Sequence, residues 1–202
     1  MLRLPNAITL MRIILVPVFV IAFALPGDTW RLIAFAIFCV AGLSDALDGL
    51  AARKLNASSD FGRMLDPIAD KVLVAVALMM LVAERNIEQF NLEPGLHSLL
   101  KLVPALVILA REILVSGLRE FLAETRVKIR VTAVAKLKTT IQMIAIGAMI
   151  LGPIADKIIP GSAWFAYAAL WIAAGLTVYT GIVYFSVGLA HIQPQRGPGD
   201  SR

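Results

Sequence analysis

Six apolar runs of about 20 residues, at roughly 7–25, 31–52, 65–83, 98–122, 132–152 and 162–190, fill most of the 202-residue chain. A run of that length crosses a bilayer as an α-helix, because in hydrocarbon each backbone N–H and C=O must find its partner within the segment. Short breakers separate the runs: Pro26-Gly27-Asp28, Glu84 to Gly95, Gly152-Pro153 and Pro160-Gly161. The first run is long and leads into further runs, so it reads as a span and not as a signal peptide. Composition agrees: 59% of residues are hydrophobic and 16% charged, against about 45–50% and about 25% in soluble domains. These proportions exclude a soluble globular enzyme and any disordered or fibrous class. The expected fold is all-α, a polytopic integral membrane protein with six transmembrane helices in a lipid bilayer.

Charge sets the orientation. Of the 19 Lys and Arg residues, 15 fall on one side of the expected spans, and only Arg31, Arg85, Lys101 and Lys157 fall on the other. Positive residues favour the cytoplasmic side, so both termini are expected there, in a cell inner (plasma) membrane protein. The formal charge of +5 then serves anionic lipid and not nucleic acid, since the basic residues lie between apolar runs and not on a polar, aromatic-rich face. The lone Cys39 permits neither an intrachain disulfide nor a Cys-based zinc site. One membrane domain over residues 1–192 is expected, followed by a flexible, Pro/Gly-rich cytoplasmic tail at 193–202.

Charges inside apolar spans are costly and therefore point to function. The densest set lies on the hairpin between the second and third spans. Asp45 and Asp48 stand at i, i+3, and Asp66 and Asp70 at i, i+4, so each pair shares one helix face. A short connection makes the two helices antiparallel neighbours, and four carboxylates can converge at one membrane depth. Without countercharge they would repel strongly or take up protons. All-oxygen ligands of this kind suit Mg²⁺, Mn²⁺ or Ca²⁺. Gly42, Ala46, Gly49, Ala51, Ala52, Gly62 and Ala69 leave room for close backbones and a bulky ligand. Pro67 is expected in the first turn of its helix. The alternative is a solvated loop in which these acids pair with Arg53, Arg63 and Lys71.

The pattern D-x-x-D-G-x-x-A-R, eight residues, G-x-x-x-D-x-x-x-D resembles the signature of the CDP-alcohol phosphotransferase family. Asp45, Asp48, Gly49, Ala52, Arg53, Gly62, Asp66 and Asp70 match it at each defined position, with residues 54–61 as the spacer. The segment from Leu4 to Arg12 is similar to the family's amphipathic entry segment. The stretches Ala110–Phe121 and Ala135–Met143 are similar to those of the branch that makes phosphatidylglycerol phosphate.

The resemblance implies transfer of the phosphatidyl group from CDP-diacylglycerol to an alcohol, with release of CMP. It implies Asp45, Asp48, Asp66 and Asp70 as ligands of Mg²⁺ or Mn²⁺, in a pair of ions, and Asp70 also as general base. It places Gly49, Ala52, Arg53 and Ser59 on the CDP-diacylglycerol side, with Asn6 and Thr9 reaching the cytidine from the entry segment. For Asn6 and Thr9 helix capping is the competing reading, and for Ser59 a plain loop hydroxyl. It also implies a homodimer. Glycerol 3-phosphate is the expected acceptor, and its phosphate calls for cations. Arg111, Arg119, Lys136 and Lys138 lie at the cytoplasmic ends of spans four and five, with membrane anchoring as the alternative. Phosphatidylglycerol or inositol phosphate as acceptor stays open. A transporter is the reading from another class, but transporters place charge near the midplane on broken helices in related halves. His97, expected in the outer loop, and His191 have no companion at metal spacing.

Overall fold

The computed structural model describes residues 4–55, 60–84, 94–124 and 133–192. Six helices follow one another: α1 (Leu4–Ala24), α2 (Asp28–Leu55), α3 (Asp60–Ala83), α4 (Pro94–Glu124), α5 (Ala133–Ile158) and α6 (Ser162–Ile192). No strand occurs among the described residues. Two of the connections are tight turns built on left-handed glycines, Gly27 at φ +109° and Gly161 at φ +87°. An L side chain is strained there, which is why the Pro-Gly pairs work as breakers. Asp156 Oδ1 accepts from the backbone N–H of Gly161 at 2.8 Å and lies 3.4 Å from that of Ala163, covering otherwise unpaired donors at the start of α6.

Three boundaries differ from the sequence reading. Gly152-Pro153 does not end α5, which runs on to Ile158. Proline removes one i→i−4 bond, but such a gap is tolerated where other groups serve the freed backbone; beside it, the carbonyl of Ile150 accepts from Arg31 Nε at 2.6 Å. The third helix begins at Asp60, ahead of its apolar run, so Pro67 lies beyond the first turn. The fourth begins at Pro94, which puts His97 in a helix and not in a loop; proline suits a first turn because its missing N–H would have no intrahelical partner. The expected flexible tail, 193–202, lies outside the described residues.

The helices pack chiefly as α5 on α6, α4 on α6, and α1 on both α2 and α3. Phe19 centres one part of the core, with ring centroids 5.7 Å from Phe23 and 6.2 Å from Phe38. Ala34, Ala41, Ala77, Ala145 and Ala173 are fully buried and let helices approach closely. The outward faces are apolar too: Ile21, Leu43, Met79, Ile113, Phe165 and Ile182 are exposed. Two helical stretches, Leu137–Ile158 and Ser162–Ser186, are long and apolar enough to cross a membrane, and shorter apolar stretches occupy Leu10–Ala24 and Lys71–Ala83.

One end of the bundle is closed by a charge clamp. Arg31 on α2 forms a two-pronged pair with Glu84, just past α3: Nη1 meets Oε1 and Nη2 lies 2.8 Å from Oε2. Its guanidinium lies 4.5 Å from the Phe23 ring centroid, and the buried Lys101 Nζ stands 3.5 Å from the Glu84 carbonyl. Residues of α1, α2 and α4 and the end of α3 thus gather around the Arg31–Glu84 pair. Nearby in sequence, Asp28 and Lys157 pair at 2.7 Å across α2 and α5. Removing one partner of a largely buried pair strands the other charge, at a cost of about 3–5 kcal/mol. Glu84→Ala is therefore expected to lower the thermal midpoint of the detergent-solubilised protein by far more than Asp28→Ala, whose pair is exposed. Equal shifts would refute the clamp.

Candidate active site

The second and third helices carry the acidic signature on continuous helix. Asp45, Asp48, Gly49, Ala52 and Arg53 all lie within α2, and Asp66 and Asp70 within α3. The helical rise of about 1.5 Å per residue puts Asp45 about 26 Å along α2 from Asp28, away from the charge clamp. The backbone therefore delivers the expected spacing of one turn between Asp45 and Asp48 and between Asp66 and Asp70. Asn6 and Thr9 lie in α1 and Lys136 in α5. The side chains of all these residues, and Ser59 altogether, lie outside the described residues.

The neighbours of the signature are well defined. Ser44, immediately before Asp45, is buried, donates to the Ala41 carbonyl at 2.7 Å and accepts from Arg12 Nε at 3.3 Å. Arg12 is 0% exposed. This puts a fully buried arginine on α1 next to the first signature residues. On the other helix Ala69, between Asp66 and Asp70, is fully buried. Lys71 Nζ donates to Ser116 Oγ, tying α3 to α4 beside Asp70. Both signature helices are thus held from outside, by α1 and by α4. Carboxylates are all-oxygen donors, a chemistry that suits Mg²⁺ or Mn²⁺ and not a soft metal. Among the described residues no group of three or more His, Cys, Asp or Glu could hold a metal ion.

A second polar cluster stands between α4, α5 and α6. Lys138, only 3% exposed, pairs with Glu112, and Arg111 Nη1 lies 3.3 Å from the same carboxylate oxygen. Two cations share one carboxylate, which leaves the group positive. Arg111 Nη2 donates to Thr180 Oγ1 at 3.0 Å, and its guanidinium carbon stands 5.9 Å from the Tyr184 ring centroid. Arg111 Nε is buried with no hydrogen-bond partner. Of the four cations expected to face an acceptor phosphate, Arg111 and Lys138 are brought together; Arg119 lies exposed about two turns further along α4. The sequence reading passed over Thr180 and Tyr184. Polar residues at Thr177, Thr180 and Tyr184, spaced i, i+3, i+7 within an apolar span, were the signal that could have found the α6 side.

The chain belongs to the CDP-alcohol phosphatidyltransferase family, whose model matches residues 2–184. Its relatives narrow the branch. It is 41% identical over 183 residues to a Rickettsia felis protein, covering 91% of this chain and 93% of that one. It is 42% identical over 185 residues to one from Rickettsia typhi, covering 92% and 96%. With an Escherichia coli K12 protein it shares 40% identity over 199 residues, covering 96% and 98%. Each of the three is named CDP-diacylglycerol–glycerol-3-phosphate 3-phosphatidyltransferase.

Proposed function

We propose that this chain is a membrane enzyme that transfers the phosphatidyl group of CDP-diacylglycerol to sn-glycerol 3-phosphate, yielding phosphatidylglycerol phosphate and CMP. The observation that carries the reading is near full-length similarity to relatives bearing that name, on a chain whose α2 and α3 hold the complete acidic signature. The cationic cluster of Arg111 and Lys138 supports an acceptor that brings its own phosphate. The apolar outward faces support six membrane spans with both termini cytoplasmic, and the Lys and Arg bias supports an active site at the cytoplasmic face of the cell membrane. The membrane domain is taken as residues 1–192, acting as a homodimer.

In this reading Asp45, Asp48, Asp66 and Asp70 hold two divalent ions, which supply charge neutralisation for the donor pyrophosphate. Gly49 and Ala52 leave space for the cytidine, and Arg53 grips phosphate with its planar fork. Asn6 and Thr9 close the nucleotide side from α1, with Ser59 beyond them. Arg111, Lys138, Arg119 and Lys136 bind the acceptor phosphate. Asp70 takes the proton from the acceptor hydroxyl as its oxygen attacks the phosphatidyl phosphorus. A new P–O bond forms, the bond to CMP breaks, and the leaving phosphate carries the negative charge away.

The test is stoichiometry. Purified protein in lipid–detergent micelles, given CDP-diacylglycerol, Mg²⁺ and glycerol 3-phosphate, should release one CMP per phosphatidylglycerol phosphate formed. CMP release accompanied only by phosphatidic acid would show hydrolysis and overturn the transfer reading.

A further inference from the structure

We infer that Thr180 and Gly181 on α6 form a seat that positions Arg111 on α4 for the acceptor phosphate, with Nε the one guanidinium nitrogen left without a partner. The inference rests on the functional reading above and deepens it. Thr180 Oγ1 lies 2.9 Å from the Leu176 carbonyl and 3.1 Å from the Thr177 carbonyl of its own helix. Its single proton is therefore committed to the backbone, and a lone pair is left to accept from Arg111 Nη2 at 3.0 Å. The hydroxyl cannot compete with Arg111 as a donor; it acts as a fixed acceptor.

Gly181 supplies the space. A Cβ placed there would stand 3.1 Å from Arg111 Cγ and 3.8 Å from Nε, so the arginine stem lies directly on the α6 backbone. The Tyr184 ring, about one turn further on, flanks the guanidinium. Glu112 takes Nη1 from the opposite side. Each terminal nitrogen has a partner, whereas the third, Nε, is buried without one. A buried, unpaired donor on a cation is costly, and an anionic oxygen is the group that satisfies it best. Lys138, held by the same Glu112, sets a second positive charge beside it.

The seat is a positioning device, and its test is a split between acceptor and donor kinetics. Thr180→Val keeps the side-chain shape and removes the acceptor; it is expected to raise the KM for glycerol 3-phosphate about fivefold while the KM for CDP-diacylglycerol stays within error. Thr180→Ser should restore the wild-type value. Gly181→Ala, which pushes the stem without touching the hydroxyl, should raise the same KM. Arg111→Ala should raise it by about tenfold or more, and adding Thr180→Val to Arg111→Ala should change it no further. An unchanged acceptor KM in both Thr180→Val and Gly181→Ala, with Arg111→Ala impaired, would overturn the seat and leave the functional reading intact. Additive losses in the double variant, or donor and acceptor KM rising together, would assign α6 a general packing role and overturn it as well. No transfer to glycerol 3-phosphate by the wild type would overturn the functional reading, and the seat with it.

Discussion

Alanine at Asp45, Asp48 or Asp66 is expected to cut phosphatidyl transfer by about a thousandfold or more. Clamping a phosphoryl group is worth several kcal/mol of transition-state stabilisation, and about 1.4 kcal/mol corresponds to tenfold in rate. Each of these carboxylates lies in a continuous helix, α2 or α3. A shortened side chain therefore cannot be replaced by a shift of a loose loop. The loss should appear mainly in kcat, with the fold preserved, because one negative charge fewer among four like charges relieves repulsion. Asp70→Asn should behave differently. It keeps an oxygen ligand and the shape of the side chain but cannot take a proton, so donor binding should survive while turnover is lost. Initial rates of CMP release, paired with thermal midpoints and with binding of CDP-diacylglycerol, separate the two cases. Turnover close to wild type in Asp70→Asn would remove it from the role of base.

Chelation should have an effect of the same size. With EDTA in excess, transfer should fall to background, and Mg²⁺ or Mn²⁺ should restore it, whereas Zn²⁺ should not serve as well at an all-oxygen site. The metals should also raise the thermal midpoint of the wild type, since any ligand bound only by the folded state stabilises it. That shift should be lost in Asp45→Ala. Full activity after rigorous chelation would rule out the metal role of the four aspartates.

Much of this was legible because the membrane leaves the backbone few options. The six apolar runs appear as six helices, with ends moved by a few residues, and two of these helices hold stretches long and apolar enough to cross a membrane. The boundary errors have one origin. Hydropathy marks where a helix is apolar, not where it stops, so the polar start of α3 at Asp60 and the end of α5 beyond Pro153 were missed. The helical placement of the acidic signature was legible because its spacing is local to α2 and α3. The cationic cluster was only half legible. Arg111 and Lys138 could be suspected from their place in apolar spans, but their common partner Glu112 and the Thr180 seat depend on how α4, α5 and α6 face one another. No single-helix period reports that. The burial of Arg12 likewise depends on a neighbouring helix, here the α2 segment around Ser44.

The identity of the acceptor is the most direct test of the whole account. The full-length protein in mixed micelles with Mg²⁺ and labelled CDP-diacylglycerol should be offered glycerol 3-phosphate, phosphatidylglycerol and inositol phosphate, each alone and at equal concentration. The account predicts rapid formation of phosphatidylglycerol phosphate from the first and no product above background from the other two. Turnover of phosphatidylglycerol or inositol phosphate, with glycerol 3-phosphate left unused, would contradict it.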